Sequence, residues 1–332
     1  MNILNRKSNK KMPAFVGPLL AVLLLSIILS LISDRFLSLD NWMNILRQTA
    51  LNAIISIGML MVLLTGGIDL SVGSVAALSG CVMGVLMQSG VNNSFVLIIA
   101  GLATGAMAGL INGYLFTQLE LPHPFVSTMG TRMIFRGLAL LITGAAPISG
   151  FSAAILFLGY ENIAKIFPIS FVLVIVIFLG INVFLNRTAL GRKIYSVGGN
   201  KEAARLSGIN VKRTLNFTYM MSGLMAAVAG IVLIGRISCA FPVAGETFDM
   251  DAIAACVIGG ASFLGGKGTV SGTLIGALLI AIIRNGLDLL GAQSDAQFVV
   301  IGAVIIAAVL LDVVRTKAEE KSRRLAQAKV ME

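Results

Sequence analysis

The sequence predicts an all-α protein that crosses a membrane about ten times, and three observations predict it. Hydrophobic residues make up 57% of the 332 and charged residues only 12%, with a mean hydropathy of +0.94, whereas ordinary soluble domains carry about 25% charge. Apolar runs of about 20 residues, the length that spans hydrocarbon, recur along the chain. One basic island, 187–213, interrupts them with seven basic residues and a single acid.

Taken in order, the predicted spans fall at 14–33, 45–65, 71–88, 95–117, 124–143, 168–186, 214–235, 248–263, 269–290 and 296–314. Residues 1–12 form a basic tail, 13–315 one membrane domain, and 316–332 a second basic tail. The first apolar run has the basic start of a signal peptide. It exceeds the roughly 7–15 residues of a signal core and no small-x-small cleavage site follows, so it reads as a retained span. The runs at 71–88 and 248–263 are short and interrupted by glycine, so six to eight full spans plus re-entrant segments are the alternative to ten.

Ten crossings place both termini on one side, and charge chooses that side. Of the 25 basic residues, only Arg35, Arg47, Lys165, Arg236 and Arg284 fall opposite the central loop; Arg132, Arg136 and Lys267 are assigned to the loop side with the tails. This is the positive-inside bias, with both termini cytoplasmic. It accounts for the net charge of +10 without a nucleic-acid partner.

Asp69-Leu-Ser-Val-Gly-Ser-Val-Ala-Ala-Leu-Ser-Gly80 aligns without gaps to Asp249-Met-Asp-Ala-Ile-Ala-Ala-Cys-Val-Ile-Gly-Gly260. Downstream, Gly101-x-x-x-Gly105 precedes Asn112-Gly113 as Gly272-x-x-x-Gly276 precedes Asn285-Gly286. With ten spans these halves have opposite orientation, the inverted-topology pattern of many transporters. The small-residue pairs predict close helix packing. Acids inside a span must be paired, capped or facing water. Asp69, and one of Asp249 or Asp251, are expected to cap the helices that follow. Asp69, Ser71, Asn112, Ser127, Thr128, Asp251 and Asn285 are the candidate lining of a path for a polar solute, with Thr131 and Asn182 as further polar positions in the spans.

Several chemistries are excluded. Cys81, Cys239 and Cys256 are odd in number, with Cys81 and Cys256 inside apolar runs, which argues against a disulfide framework or a zinc site. His123 is the only histidine, so no histidine-based triad exists. Gly265-Gly266-Lys267-Gly268-Thr269 fails as a nucleotide loop: Gly268 stands where magnesium would need Ser or Thr, and the opening glycine would fall at Ala261. No carboxylate dyad stands outside the predicted caps, so the chain is not expected to be an enzyme.

The island carries its own helix signals. Asn200 is an N-cap, Glu202 favours the first turn, Ala203 and Ala204 propagate, Arg205 suits the last turn and Gly208 closes. A glycine-bounded helix between two spans is a handle for a protein on the cytoplasmic side.

Glu202-Ala203-Ala204-x-x-x-Gly208 is similar to the EAA-x3-G core in the coupling loops of bacterial ABC importer permeases. The stretch from Gly198-Gly199-Asn200 to Gly208-Ile209 resembles the ribose, xylose and arabinose permeases in particular. So do Gly67-Ile68-Asp69-Leu70-Ser71-Val72-Gly73-Ser74, Asp251-Ala252-Ile253-Ala254 with Val257-Ile258-Gly259-Gly260, and Gly265-Gly266-Lys267-Gly268 with Asn285-Gly286-Leu287. The resemblance runs from about residue 45 to 312. It implies a type II importer-like permease in a bacterial cytoplasmic membrane that imports a monosaccharide, a ribose-like pentose or a related sugar. Its implied partners are a second permease copy or a paralogue, two ATPase subunits docked on the loops, and a periplasmic or lipid-anchored sugar-binding protein. ATP and magnesium would sit on the ATPase and no cofactor on this chain; Asn200, Glu202, Ala203, Ala204, Arg205 and Gly208 would form the coupling contact. A branched-chain amino-acid ABC permease and an ion-coupled secondary transporter are the alternatives.

Overall fold

Serine, asparagine and threonine side chains open most of the long helices. The computed structural model describes residues 16–163, 167–293, 295–310 and 313–314. Both predicted tails, Lys165 and part of the last predicted span lie outside the described residues. The helices are α1 (Val16–Ile32), α2 (Leu39–Leu64), α3 (Val72–Gln88), α4 (Ser94–Gln118), α5 (Pro124–Thr143), α6 (Ala153–Tyr160), α7 (Ile169–Arg187), α8 (Ala189–Gly199), α9 (Lys201–Leu206), α10 (Val211–Ile237), α11 (Phe248–Ile258), α12 (Val270–Leu289) and α13 (Asp295–Leu310). Ser38 caps α2 by accepting from the Asn41 amide, Asn93 caps α4, Asn210 caps α10 through Arg213, and Thr269 caps α12 through Gly272. His123 caps α5, its Nδ1 accepting from the Phe125 amide at 3.2 Å, with Pro124 opening the helix. These side chains satisfy amides that the helix itself leaves unpaired at its start.

Each of the ten predicted spans coincides with a helix. Six of them, α2, α4, α5, α7, α10 and α12, are long and apolar enough to cross a membrane; α1, α3 and α13 are shorter apolar helices. With 11 residues, α11 rises only about 16 Å, short of the roughly 30 Å hydrocarbon layer.

Helix α10 is the centre of the bundle, packed against α4, α2, α3 and α6, while α2 packs against α12, α11 and α10. Exchanging α2 with α10, α3 with α11 and α4 with α12 maps all of these contacts except that of α10 with α6 onto one another. From Ala50 to Leu64, α2 is buried at every position but one, the pattern of a helix surrounded by protein. Outer helices show the opposite: Leu31 of α1 is 82% exposed and Leu141 of α5 78%. The α4–α10 contact is made backbone to backbone. A Cβ on Gly105 would lie 2.4 Å from the Gly223 carbonyl oxygen, and one on Gly109 2.2 Å from that of Tyr219. Gly272 and Gly276 play the same part between α12 and the carbonyls of Gly259 and Ala255, so the small residues pack helices as expected.

Two segments fold back into the bundle. After α2 the chain turns at Gly66, with φ of 73°, and residues 67–71 run beside Tyr219 and Ser222 to the start of α3. After α10, β2 (Cys239–Ala240) pairs antiparallel with β1 (Ile148–Ser149). The chain then follows α3 backwards until a Cβ on Gly73 would lie 2.0 Å from the Gly245 carbonyl oxygen. The first turns of α3 and α11 therefore meet inside the molecule and the two helices diverge toward opposite ends. The short, glycine-containing runs at 71–88 and 248–263 are the helices of this pair, α3 continuous from Val72 to Gln88 and α11 ending at Ile258.

Candidate functional site

Asp69 is fully buried and lies at the start of α3. It does not occupy the N-cap position, which is Ser71. Two residues earlier in the chain, its Oδ1 accepts from the Ser71 amide at 3.0 Å and the Ser71 hydroxyl at 2.7 Å. Its Oδ2 accepts from the Ser222 hydroxyl of α10 at 2.8 Å. Asn112 of α4 donates to Ser71 Oγ at 2.7 Å and receives the Thr131 hydroxyl of α5. Tyr219 and Thr128 donate to the Ile68 carbonyl at 3.2 and 3.4 Å, and Ser127 to that of Pro124. The network joins α3, α4, α5 and α10 and leaves the carboxylate well supplied with donors, which is what a buried charge requires.

The remaining candidates for the path stand apart. Asp251 is paired with Arg284 of α12, whose Nη2 reaches both carboxylate oxygens at 2.8 Å, and with Thr247 at 3.3 Å. Asn285 exchanges two hydrogen bonds with Asn41, at 3.0 and 2.7 Å, tying α12 to α2. Asp249 and Asp251 lie within the first turn of α11 and Thr247 is its cap residue, so neither acid caps in the expected way. Seven candidates thus fall into three groups. Thr131, Ser222 and Tyr219 complete the first group; of these the sequence reading singled out only Thr131. Hydroxyls are common in apolar helices, and Ser222 lies far along the chain from Asp69.

Arg132 and Arg136 require a correction. Charge counting puts them on the side of the central loop, yet they sit midway along α5 against the segment between α10 and α11. Arg132 pairs with Asp249 and donates to the Glu246 carbonyl at 3.1 Å. Arg136 donates to the carbonyls of Pro242 and Ala244 at 2.6 and 2.7 Å. Counting charges by side misplaces arginines paired within a span.

The central loop holds two helices where the sequence signalled one. In α9 the Asn200 side chain accepts from the Ala203 amide at 2.9 Å, and Glu202 and Arg205 pair across one turn at 2.9 Å. The helix ends as its sequence predicts. Gly208 has φ of 80°, its amide donates to the Arg205 carbonyl, and the Ile209 amide donates to that of Ala204, both at 3.0 Å; this is a Schellman closure. Ala204 is the one buried residue of α9, set among Val197, Leu215, Ile209, Val211 and Phe116. The ammonium of Lys201 stands 5.6 Å from the Phe116 ring centroid, and burial lowers its pKa from the usual lysine value. Leu206, in contrast, is 78% exposed.

Helix α8 went unsignalled because Gly191, Gly198 and Gly199 fall within its 11 residues, and glycine is a poor helix former. The first two are required by proximity. A Cβ on Gly191 would lie 2.3 Å from the Leu185 carbonyl oxygen, and one on Gly198 only 1.7 Å from that of Leu64. The same Leu64 carbonyl accepts from the Gly266 amide at 2.9 Å, and Tyr195 donates to the Gly268 carbonyl at 2.9 Å. Burial raises the Tyr195 phenol's pKa, so it stays a donor. The loop is thereby fastened to the end of α2, two residues from Gly66 and five from the buried Asp69.

A membrane bundle with a polar centre where a chain segment folds back into it and a docked basic loop defines an integral membrane permease component. Residues 41–309 match the family described as branched-chain amino acid transport system / permease component, and the chain belongs to that family. It is 43% identical over 301 residues to the ribose import permease protein of Bacillus subtilis (strain 168), covering 90% of this chain and 92% of that protein. It is 41% identical to the ribose import permease protein of Escherichia coli (strain K12), covering 89% and 92%. It is 40% identical to the D-allose transport system permease protein of the same strain, covering 87% and 88%.

Proposed function

We propose that this chain is the membrane subunit of an ATP-driven importer for a monosaccharide, and that α9 is the element gripped by its ATPase. The similarity to sugar import permeases across nearly the whole of both chains carries the reading. The docked α9 supports its mechanical half. When ATP closes the ATPase pair, force on α9 passes through Ala204 and the α8 backbone to Leu64, and so to the turn before α3. The bundle would then rock between outward and inward openings, with ten crossings in two inverted halves, one of them made by α11 together with the segment that leads into it, and both termini cytoplasmic. A second permease copy or a paralogue would complete the path, and a sugar-binding protein outside the membrane would deliver the solute.

Nothing in this scheme asks the chain itself to hold nucleotide. Hydrolysis and the ATP–magnesium complex belong to the ATPase. An unpaired sugar hydroxyl in a dry pore costs about 1–3 kcal/mol, so a wet path that binds loosely suits transport, with selectivity in the binding protein. The test is uptake of labelled ribose, allose and galactose by cells producing the permease with its neighbouring ATPase and binding protein, with and without an ATPase-inactivating substitution. ATP-dependent uptake of one of these sugars is expected. Uptake that survives loss of the ATPase and follows an ion gradient, or that leucine competes away, would overturn the proposal.

A further inference from the structure

Two arginines one turn apart on a membrane helix are costly unless they face water or protein. Arg132 and Arg136 are both half-buried. Beside them lies a cavity of about 410 Å³ lined by Arg132, Met133, Arg136, Gly137, Val243 and Glu246. Arg136 spends Nη1 on the Pro242 and Ala244 carbonyls, and Arg132 meets Asp249 and the Glu246 carbonyl. Each guanidinium has five N–H donors, so both keep donors beyond those bonds. The Glu246 side chain is exposed and supplies acceptors, while Met133 and Val243 form an apolar wall. Donors, acceptors and an apolar face around one cavity match a polyhydroxylated ring, which presents hydroxyls at its edge and C–H groups on its faces. The Asp69 network is different. Its side chains are spent on one another and are almost wholly buried.

We propose that this cavity, between α5 and the segment joining α10 to α11, is where a monosaccharide is held in transit. Arg132, Arg136 and Glu246 contact its hydroxyls, and the Asp69 network is the fixed frame behind it. The inference rests on the importer reading above and deepens it. The floor of the cavity offers a clean probe, because a Cβ on Gly137 meets nothing within 4 Å, and the same is true of Gly130 two turns away on α5.

The experiment uses the full transporter in cells and D-ribose, D-allose and D-galactose as probes. Gly137→Leu is expected to lower uptake of the transported sugar about tenfold or more, read as a loss of productive passage. ATPase association and sugar-independent ATP hydrolysis should persist. Gly130→Leu is expected to transport at the wild-type rate. Uptake by Gly137→Leu at the wild-type rate would overturn the cavity while leaving the importer reading intact. A wild-type transporter that takes up none of the three sugars would instead sink the importer reading, and this inference with it. If Gly137→Leu does not assemble, Gly137→Cys in a Cys239→Ala background decides. Transported sugar should slow its reaction with a hydrophilic thiol reagent during turnover, and an unchanged rate counts against the proposal.

Discussion

Ser222 donates a single hydrogen bond, to Asp69 Oδ2, across a gap that the chain takes some 150 residues to close. Removing one partner of a buried charge leaves the other undersatisfied at a cost of about 1–3 kcal/mol. Ser222→Ala should therefore lower the thermal midpoint of the detergent-purified protein, and Asp69→Ala should lower it further by removing the acceptor of the Ser71 amide and hydroxyl as well. An unchanged midpoint for both would mean that the network does not hold the bundle together. Asp69 was legible in the sequence because a carboxylate amid apolar residues demands an explanation. Ser222 was not, since its role exists only once α10 lies against the turn before α3. The same limit hid Arg132 and Arg136, whose partners are backbone carbonyls and an acid more than a hundred residues away.

At the level of the element, α9 was readable because its stop and start signals are local. Asn200, Glu202, Arg205 and Gly208 act within a few residues of themselves, and each is found in the expected part. Gly208→Ala should strain the left-handed closure by about 1–2 kcal/mol, loosening the loop without touching the bundle core. Leu206 and Ala204 separate two effects that a single loop mutant would confuse. Leu206→Asp changes an exposed side chain, so folding should be retained while ATPase co-purification and uptake fall about tenfold or more, the scale of an interface anchor. Ala204→Arg forces a charge into the cluster of Val197, Leu215 and Ile209 and should unseat α9 itself, visible as faster proteolysis of the loop. Equal proteolysis in both variants would remove that distinction. Helix α8 shows why the rest was hidden: its glycines look like breaks in sequence, yet Gly198 is there because the Leu64 carbonyl leaves no room for a Cβ. Gly198→Ala should accordingly leave ATPase binding in place and uncouple hydrolysis from uptake, measured as the ratio of the two rates.

Across the whole molecule, hydropathy alone located ten helices, with ends off by up to about six residues among the described ones, since burial in lipid or in the bundle both demand apolar sequence. What it could not give was depth: the apolar run at 248–263 reads as a span, but α11 has only 11 residues and is too short to cross by itself. The gap-free match of Asp69 with Asp249 also concealed a difference in position, because one acid precedes its helix and the other lies within the first turn. The pairwise exchange of α2, α3 and α4 with α10, α11 and α12 is the stronger sign of kinship between the halves. A further consequence concerns the order of synthesis. The glycine face of α4, at Gly105, Gly109 and Gly113, is covered by α10, which leaves the ribosome about a hundred residues later. Until then the nascent first half carries an open seam and a carboxylate lacking one of its donors. Assembly of this protein must therefore finish late, and the bilayer or the insertion machinery has to shelter an incomplete intermediate for as long as translation of the second half takes.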